Sequence, residues 1–262
     1  LDAVGEEGFR SSTIERALLE LMNDRGGLVT RADLDAYEPV WGEPGRCRFR
    51  DFEIVTRIGL NSPLPVLARL EDSSAVELAR ALAAPDRRGE TTNITVVDAV
   101  GAAVVVTTSL GLGSGDWLPG LDLHLNSMLG EADLLVAELV PGRRMRSMMA
   151  PSLALDEDGL ALAGGAAGGT RLRSALVQVI AGVLAEGLSA REAVERPRLH
   201  PVGDVVHLEP GFRDDVRAAL EAAGFTVRLW PARHHYFGGV SAVSRSGGAG
   251  DPRRSGAARH PA

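Results

Sequence analysis

Residues 88–115 read RGETTNITVVDAVGAAVVVTTSLGLGSG, and the reading of the fold starts from them. Two runs rich in β-branched residues, Thr92 to Val97 and Val104 to Thr108, flank Asp98-Ala99-Val100-Gly101. That pattern predicts a β-hairpin, with Gly101 free to take the positive φ of a tight turn. Ahead of the first strand lies a polar linker, Pro85 to Glu90, and behind the second a glycine loop, Gly111 to Gly115. A threonine where a linker meets a strand has a particular chemical use. If the chain is cut before Thr91, the new α-amine sits beside the Thr91 hydroxyl and can serve as its base.

The rest of the chain fits around this hairpin. Its 262 residues can bury a substantial core, as one large domain or two small ones. A hydrophobic share of 45% and a charged share of 24% are ordinary for a globular protein. The net charge of −7 argues against electrostatic attraction to nucleic acid or anionic lipid. No apolar run approaches the roughly 18 residues that span a bilayer, and no secretory signal is seen, so neither a membrane nor a nucleic-acid partner is expected. The compartment stays open. The single cysteine, Cys47, cannot form an internal disulfide.

Upstream, Ser12 to Glu15 has the form of a capping box, followed by Ile14, Leu18, Leu19, Leu21 and Met22 at helical spacing. A short helix over Leu34–Tyr37 opened by Thr30–Asp33, paired strands at Arg46–Phe49 and Phe52–Thr56, and a helix from Ser74 to Leu82 are expected next. Downstream, Leu121 to Leu125 is a candidate strand. The acidic turn Asp156 to Gly159 predicts a second hairpin. Its second strand runs into Gly164–Thr170, and Leu172, Ala175, Leu176, Val179, Ile180, Val183 and Leu184 then mark an amphipathic helix. A glycine-rich turn between strand and helix gathers backbone N–H groups suited to an oxyanion or a carboxylate. Another helix is expected after Ser189, then strand, helix, strand and strand to Ser244. The tail from Gly247 is expected to be poorly ordered. Hairpins with helices in blocks predict an α+β fold, two antiparallel sheets covered by helices.

Other residue groups have bland readings. The Arg143, Arg144, Arg146 run fits a solvated surface as well as an anion clamp. The Gly111–Gly115 loop lacks the lysine of a phosphate loop. His124, His234 and His235 have no metal-ligand spacing, and no metal or cofactor is expected.

The segment TTNITVVDAVGAAVVVTTSLGLGSG (residues 91–115) resembles the start of the small subunit of γ-glutamyltranspeptidases, roughly TTHxSVVDxxGNAVSxTxS. The resemblance continues through LNSMLGEADL, PGRRMRSMMAPS, AGGAAGGTRLRSALVQVI, EAVERPRLHP, GGVSAV and GAGDPRR, and DRGGLVTRADLDAYEP resembles the end of the large subunit. It implies an N-terminal nucleophile hydrolase fold, an αββα sandwich. Residues 1–90 would be the end of a large-subunit-like segment and 91–262 a small-subunit-like catalytic segment, together one domain. It also implies self-cleavage between Glu90 and Thr91, giving two chains that stay associated. The enzyme would act on γ-glutamyl amides such as glutathione and pass the acyl group to water, an amino acid or a peptide. Thr91 is then the nucleophile, Gly168 and Gly169 the oxyanion hole, and Ser109 a support for the nucleophile. Glu131, Ser147 and Arg146 fall where the family binds substrate. Asn93 stands where the family usually has His. The alternative is a catalytically silent member that keeps the fold as a binding or structural protein.

Overall fold

The computed structural model describes residues 13–83, 90–131, 134–135 and 138–260, with only the backbone of Glu90. The cap expected at Ser12 and the linker 85–89 lie outside the described residues. The chain divides into two units, residues 1–42 with 110–130, and residues 43–109 with 131–262.

Helices are α1 (Thr13–Arg25), α2 (Arg31–Asp35), α3 (Leu64–Leu67), α4 (Ala75–Leu82), α5 (Arg171–Leu184), α6 (Ala190–Glu195) and α7 (Asp214–Ala222). Strands are β1 (Gly45–Phe49), β2 (Phe52–Thr56), β3 (Glu90–Val97), β4 (Ala103–Gly111), β5 (Trp117–Leu118), β6 (Leu123–His124), β7 (Ser152–Asp156), β8 (Gly159–Ala167), β9 (Leu199–Val202), β10 (Val205–Leu208), β11 (Thr226–Leu229), β12 (Gly239–Ser244) and β13 (Gly247–Gly250).

The smaller unit holds α1, α2 and the β5–β6 pair. Thr30 caps α2 with a full capping box to Asp33, which starts that helix at Arg31 rather than at the expected Leu34. The expected strand at Leu121–Leu125 shrinks to two residues, where Trp117 stacks on His124 at 4.5 Å.

In the larger unit, six strands pair antiparallel in the order β1-β2-β7-β8-β12-β13, and β9, β10 and β11 form a separate sheet. The β10–β11 pair is parallel and joined through α7. One face of the six-stranded sheet buries α5: Leu172, Ala175, Leu176, Val179 and Ile180 meet Leu162, Ala166, Val240 and Ala242 in one core cluster. Each large aliphatic side chain buried there contributes about 1.5–3 kcal/mol. The opposite face carries the β3–β4 hairpin. The layers among the described residues are therefore helix, sheet and hairpin, the α-β-β part of the expected αββα sandwich, its second sheet being two strands.

The tail corrects an expectation. Residues from Gly247 onward form β13 against β12, then a single 3-10 turn at Pro252–Arg254 whose Arg253 side chain is fully buried. Glycine-rich composition suggested disorder. The order comes from ion pairs to residues 40–55 positions earlier, which local composition does not register.

Candidate active site

The hairpin is laid on the sheet by its polar face. Asn93 Oδ1 accepts from Thr107 Oγ1 at 2.6 Å, and Asn93 Nδ2 donates to Thr95 Oγ1 at 3.0 Å. Thr95 Oγ1 donates in turn to the Ser241 carbonyl on β12 at 3.1 Å. Beneath Asn93 lies Gly165 of β8, where any Cβ would overlap the Asn93 amide. A side chain there would push the Asn93 amide out of its place. The turn closes with Asp98 N–H donating to Ala102 O, and carrying that register back through Asn93 and Thr107 sets Ser109 across from Thr91.

Thr91 is half-buried and lines a cleft of about 360 Å³. Its walls are Thr91–Thr95 of β3, Ala167 at the end of β8, Gly239–Ser241 of β12, and Gly250, Asp251 and Arg254–Ala257 of the tail. Gly168 and Gly169 follow Ala167 directly and are buried. Gly168 has φ +130 and Gly169 φ +61, and a Cβ on Gly168 would stand 2.9 Å from Gly238 Cα. Both constraints demand glycine at 168. Their carbonyls accept from Arg171 and Leu172 at the start of α5. Among the described residues no acceptor takes either glycine N–H. Two buried donors at a helix start are the chemistry an oxyanion needs.

The tail wall is held by a buried charge network that the sequence did not reveal. Asp251 Oδ2 pairs with Arg198 Nη2 at 2.6 Å and accepts from Val240 N at 3.0 Å. Its Oδ1 accepts from Arg253 N and Nη1 at 3.0 and 3.2 Å. Glu209 receives Arg253 Nε and Nη2 at 2.8 and 2.5 Å and the backbone N–H of Arg198 at 3.0 Å. Arg253 also donates to the Val194 and Arg196 carbonyls. Burial alone would raise the Asp251 pKa, but the two guanidiniums and two backbone N–H donors outweigh it and hold it below the usual carboxylate range. Burial, reinforced by the charge of Arg253 and opposed by Asp251, draws Arg198 down to about 10.

The other expected site residues lie elsewhere. Ser147 sits beside the loop at Gly59–Leu60: its carbonyl accepts from Leu60 N at 2.9 Å and its Oγ from Met149 N at 3.1 Å. Arg146 is exposed and lines a different hollow with Leu139, Val140, Arg143 and Arg144. Glu131 is half-buried, and its Oε1 has no hydrogen-bond partner among the described residues. None of the three lines the Thr91 cleft. Asn93, Asp251 and Arg254 do, although only the DPRR string hinted at the last two.

A polar hairpin resting on an antiparallel sheet, itself backed by helices, is the architecture of N-terminal nucleophile hydrolases. The chain superposes on a cephalosporin acylase from Bacillus halodurans with a TM-score of 0.77 over 97% of its length and 59% of that chain, at 19% identity. It also matches a Helicobacter pylori γ-glutamyltranspeptidase mutant with a TM-score of 0.53 at 27% identity, over 62% of this chain and 99% of that one. The gamma-glutamyltranspeptidase family model matches residues 67–260, and the chain belongs to that family. Among curated relatives, an acylase ACY 1 proenzyme from Pseudomonas sp. (strain V22) is 26% identical over 92% of this chain and 55% of its own length. A glutathione hydrolase proenzyme from Bacillus subtilis (strain 168) is 29% identical over 65% of this chain and 30% of its own. The chain spans about half the length of the acylase relatives it matches.

Proposed function

We propose that this chain is a self-processing amide hydrolase or acyltransferase that uses Thr91 as an N-terminal nucleophile on γ-glutamyl amides such as glutathione. The observation that carries this reading is Thr91 lining a cleft with Ala167, the residue directly before the buried Gly168–Gly169 turn. Proenzymes among the relatives support the processing step.

In the proposed processing, the Thr91 hydroxyl attacks the Glu90 carbonyl, the acyl group moves from nitrogen to oxygen, and water cleaves the resulting ester. The freed α-amine then takes the hydroxyl proton as Oγ attacks a substrate amide carbonyl. Gly168 and Gly169 N–H groups receive the developing oxyanion, an interaction typically worth about 10²–10³ in rate per donor. The proton passes to the departing amine, and water or a second amine releases the acyl group from Thr91. Ser109, across the hairpin, would orient the Thr91 hydroxyl. Glu131, Ser147 and Arg146 are proposed substrate contacts only in a form of the protein that brings them to this cleft.

Thr91→Ala is the test. It is expected to leave one uncut chain and to abolish turnover of a γ-glutamyl anilide, read by gel and by absorbance. Turnover surviving in that variant would overturn the assignment.

A further inference from the structure

We propose that Asn61 is a positioning residue for the oxyanion turn, holding the Gly169 carbonyl so that the Gly168 and Gly169 N–H groups keep the direction an oxyanion needs. The proposal rests on the reading of Thr91 as nucleophile and of that turn as its oxyanion hole, and adds what keeps the turn in shape.

The turn needs outside support. Gly168 and Gly169 both have positive φ and no side chain, so their peptide planes can swing unless their carbonyls are held. Arg171 N–H holds the first carbonyl and Leu172 N–H the second, each at 3.2 Å. Both donors belong to α5 itself. A third comes from elsewhere: Asn61 Nδ2 reaches the Gly169 carbonyl at 3.5 Å, from a loop 108 positions earlier in the chain. That is long for a hydrogen bond, as catalytic contacts often are before substrate arrives.

The loop that carries Asn61 is seated at both ends. Leu60 N–H donates to the Ser147 carbonyl at 2.9 Å. A Cβ on Gly59 would stand 2.6 Å from the same oxygen, so the close approach requires glycine. Pro63 then opens α3, whose Val66 and Leu67 are buried. Loop and turn belong to the same, larger unit. Between these anchors Asn61 is 8% exposed. Its Oδ1 takes no donor among the described residues. A buried amide with one long bond and an unanswered oxygen costs the fold more than an apolar side chain of its size. Packing does not explain an asparagine here; contact with the oxyanion turn does.

The test uses fully cut chain and a γ-glutamyl anilide, with Asn61→Leu and Asn61→Asp. Asn61→Leu keeps the volume and removes the donor. It is expected to lower kcat about three- to tenfold with KM within about twofold of the parent, while its urea unfolding midpoint stays level or rises. Asn61→Asp sets a carboxylate against the Gly169 carbonyl at neutral pH and a carboxylic acid, again a donor, in acid. Its kcat relative to the parent should rise as pH falls through the carboxyl's pKa, and the same ratio for Asn61→Leu should stay flat.

A parent-like kcat in Asn61→Leu overturns the proposal, and so does a flat ratio in Asn61→Asp. A loss carried by KM, or one that tracks a fallen unfolding midpoint, marks a structural role and overturns it too. An Asn61→Leu chain that folds but no longer cuts itself would place Asn61 at the scissile bond instead. Turnover surviving in Thr91→Ala sinks the nucleophile whatever Asn61 does. A Thr91-dependent enzyme indifferent to Asn61→Leu sinks Asn61 alone.

Discussion

The two walls of the Thr91 cleft are held by different physics. The tail wall is fixed by buried charges: Asp251 and Glu209 between Arg198 and Arg253, with Arg253 also donating to two backbone carbonyls. The hairpin wall is fixed by a few uncharged hydrogen bonds through Asn93 and Thr95 and by the gap at Gly165. Its outer face is apolar and open: Ile94 is 54% exposed, Val96 57%, Val104 61% and Val106 47%. The alternation is inverted relative to an ordinary half-buried sheet, with polar side chains inward and aliphatic ones outward. The nucleophile candidate thus sits on the more lightly held wall.

That contrast can be broken from the heavy side first. Asp251→Ala leaves Arg198 buried without its carboxylate, and a cost of about 3–5 kcal/mol is expected from urea unfolding. The same residue sets an acid dependence. A carboxyl whose folded pKa lies below its unfolded value of about 3.9 adds stability that is complete above that value. It is lost as pH falls through the folded pKa. Stability measured from pH 6 down to 2 should therefore decline more steeply in the parent chain than in Asp251→Asn.

On the lighter wall, Asn93→Ala removes two side-chain hydrogen bonds and takes from the Thr107 hydroxyl its acceptor, while Thr95 keeps its bond to Ser241. A cost of roughly 1–3 kcal/mol is expected. Its larger effect should fall on the rate of chain cleavage, because Asn93 fixes the strand that presents Thr91. Equal damage to stability and to processing would mean that Asn93 only packs. Smallest of all, Ile94→Ser and Val106→Ser should shift stability by no more than about 0.5 kcal/mol, as expected for exposed sites. A loss well above that would show that another surface covers this face in solution.

The hairpin was legible because its signals are local. β-branched runs, an acidic residue and Gly101 mark strands and turn within a dozen positions. The α5 helix was legible for the same reason, from Leu172 to Leu184. The order of the tail was not, because it depends on Arg198 and Glu209, whose partners are set by folding rather than by spacing. Nor could periodicity reveal that Gly165 leaves room for the Asn93 amide. The expected substrate contacts Glu131, Ser147 and Arg146 came from resemblance alone, and in the structure they lie outside the cleft's lining.

The most direct measurement is intact mass combined with N-terminal sequencing of the purified protein. Two fragments are expected, one beginning at Thr91 with a free amine. A single chain of about 27.6 kDa that stays uncut through prolonged incubation would contradict it and favour a silent member of the family.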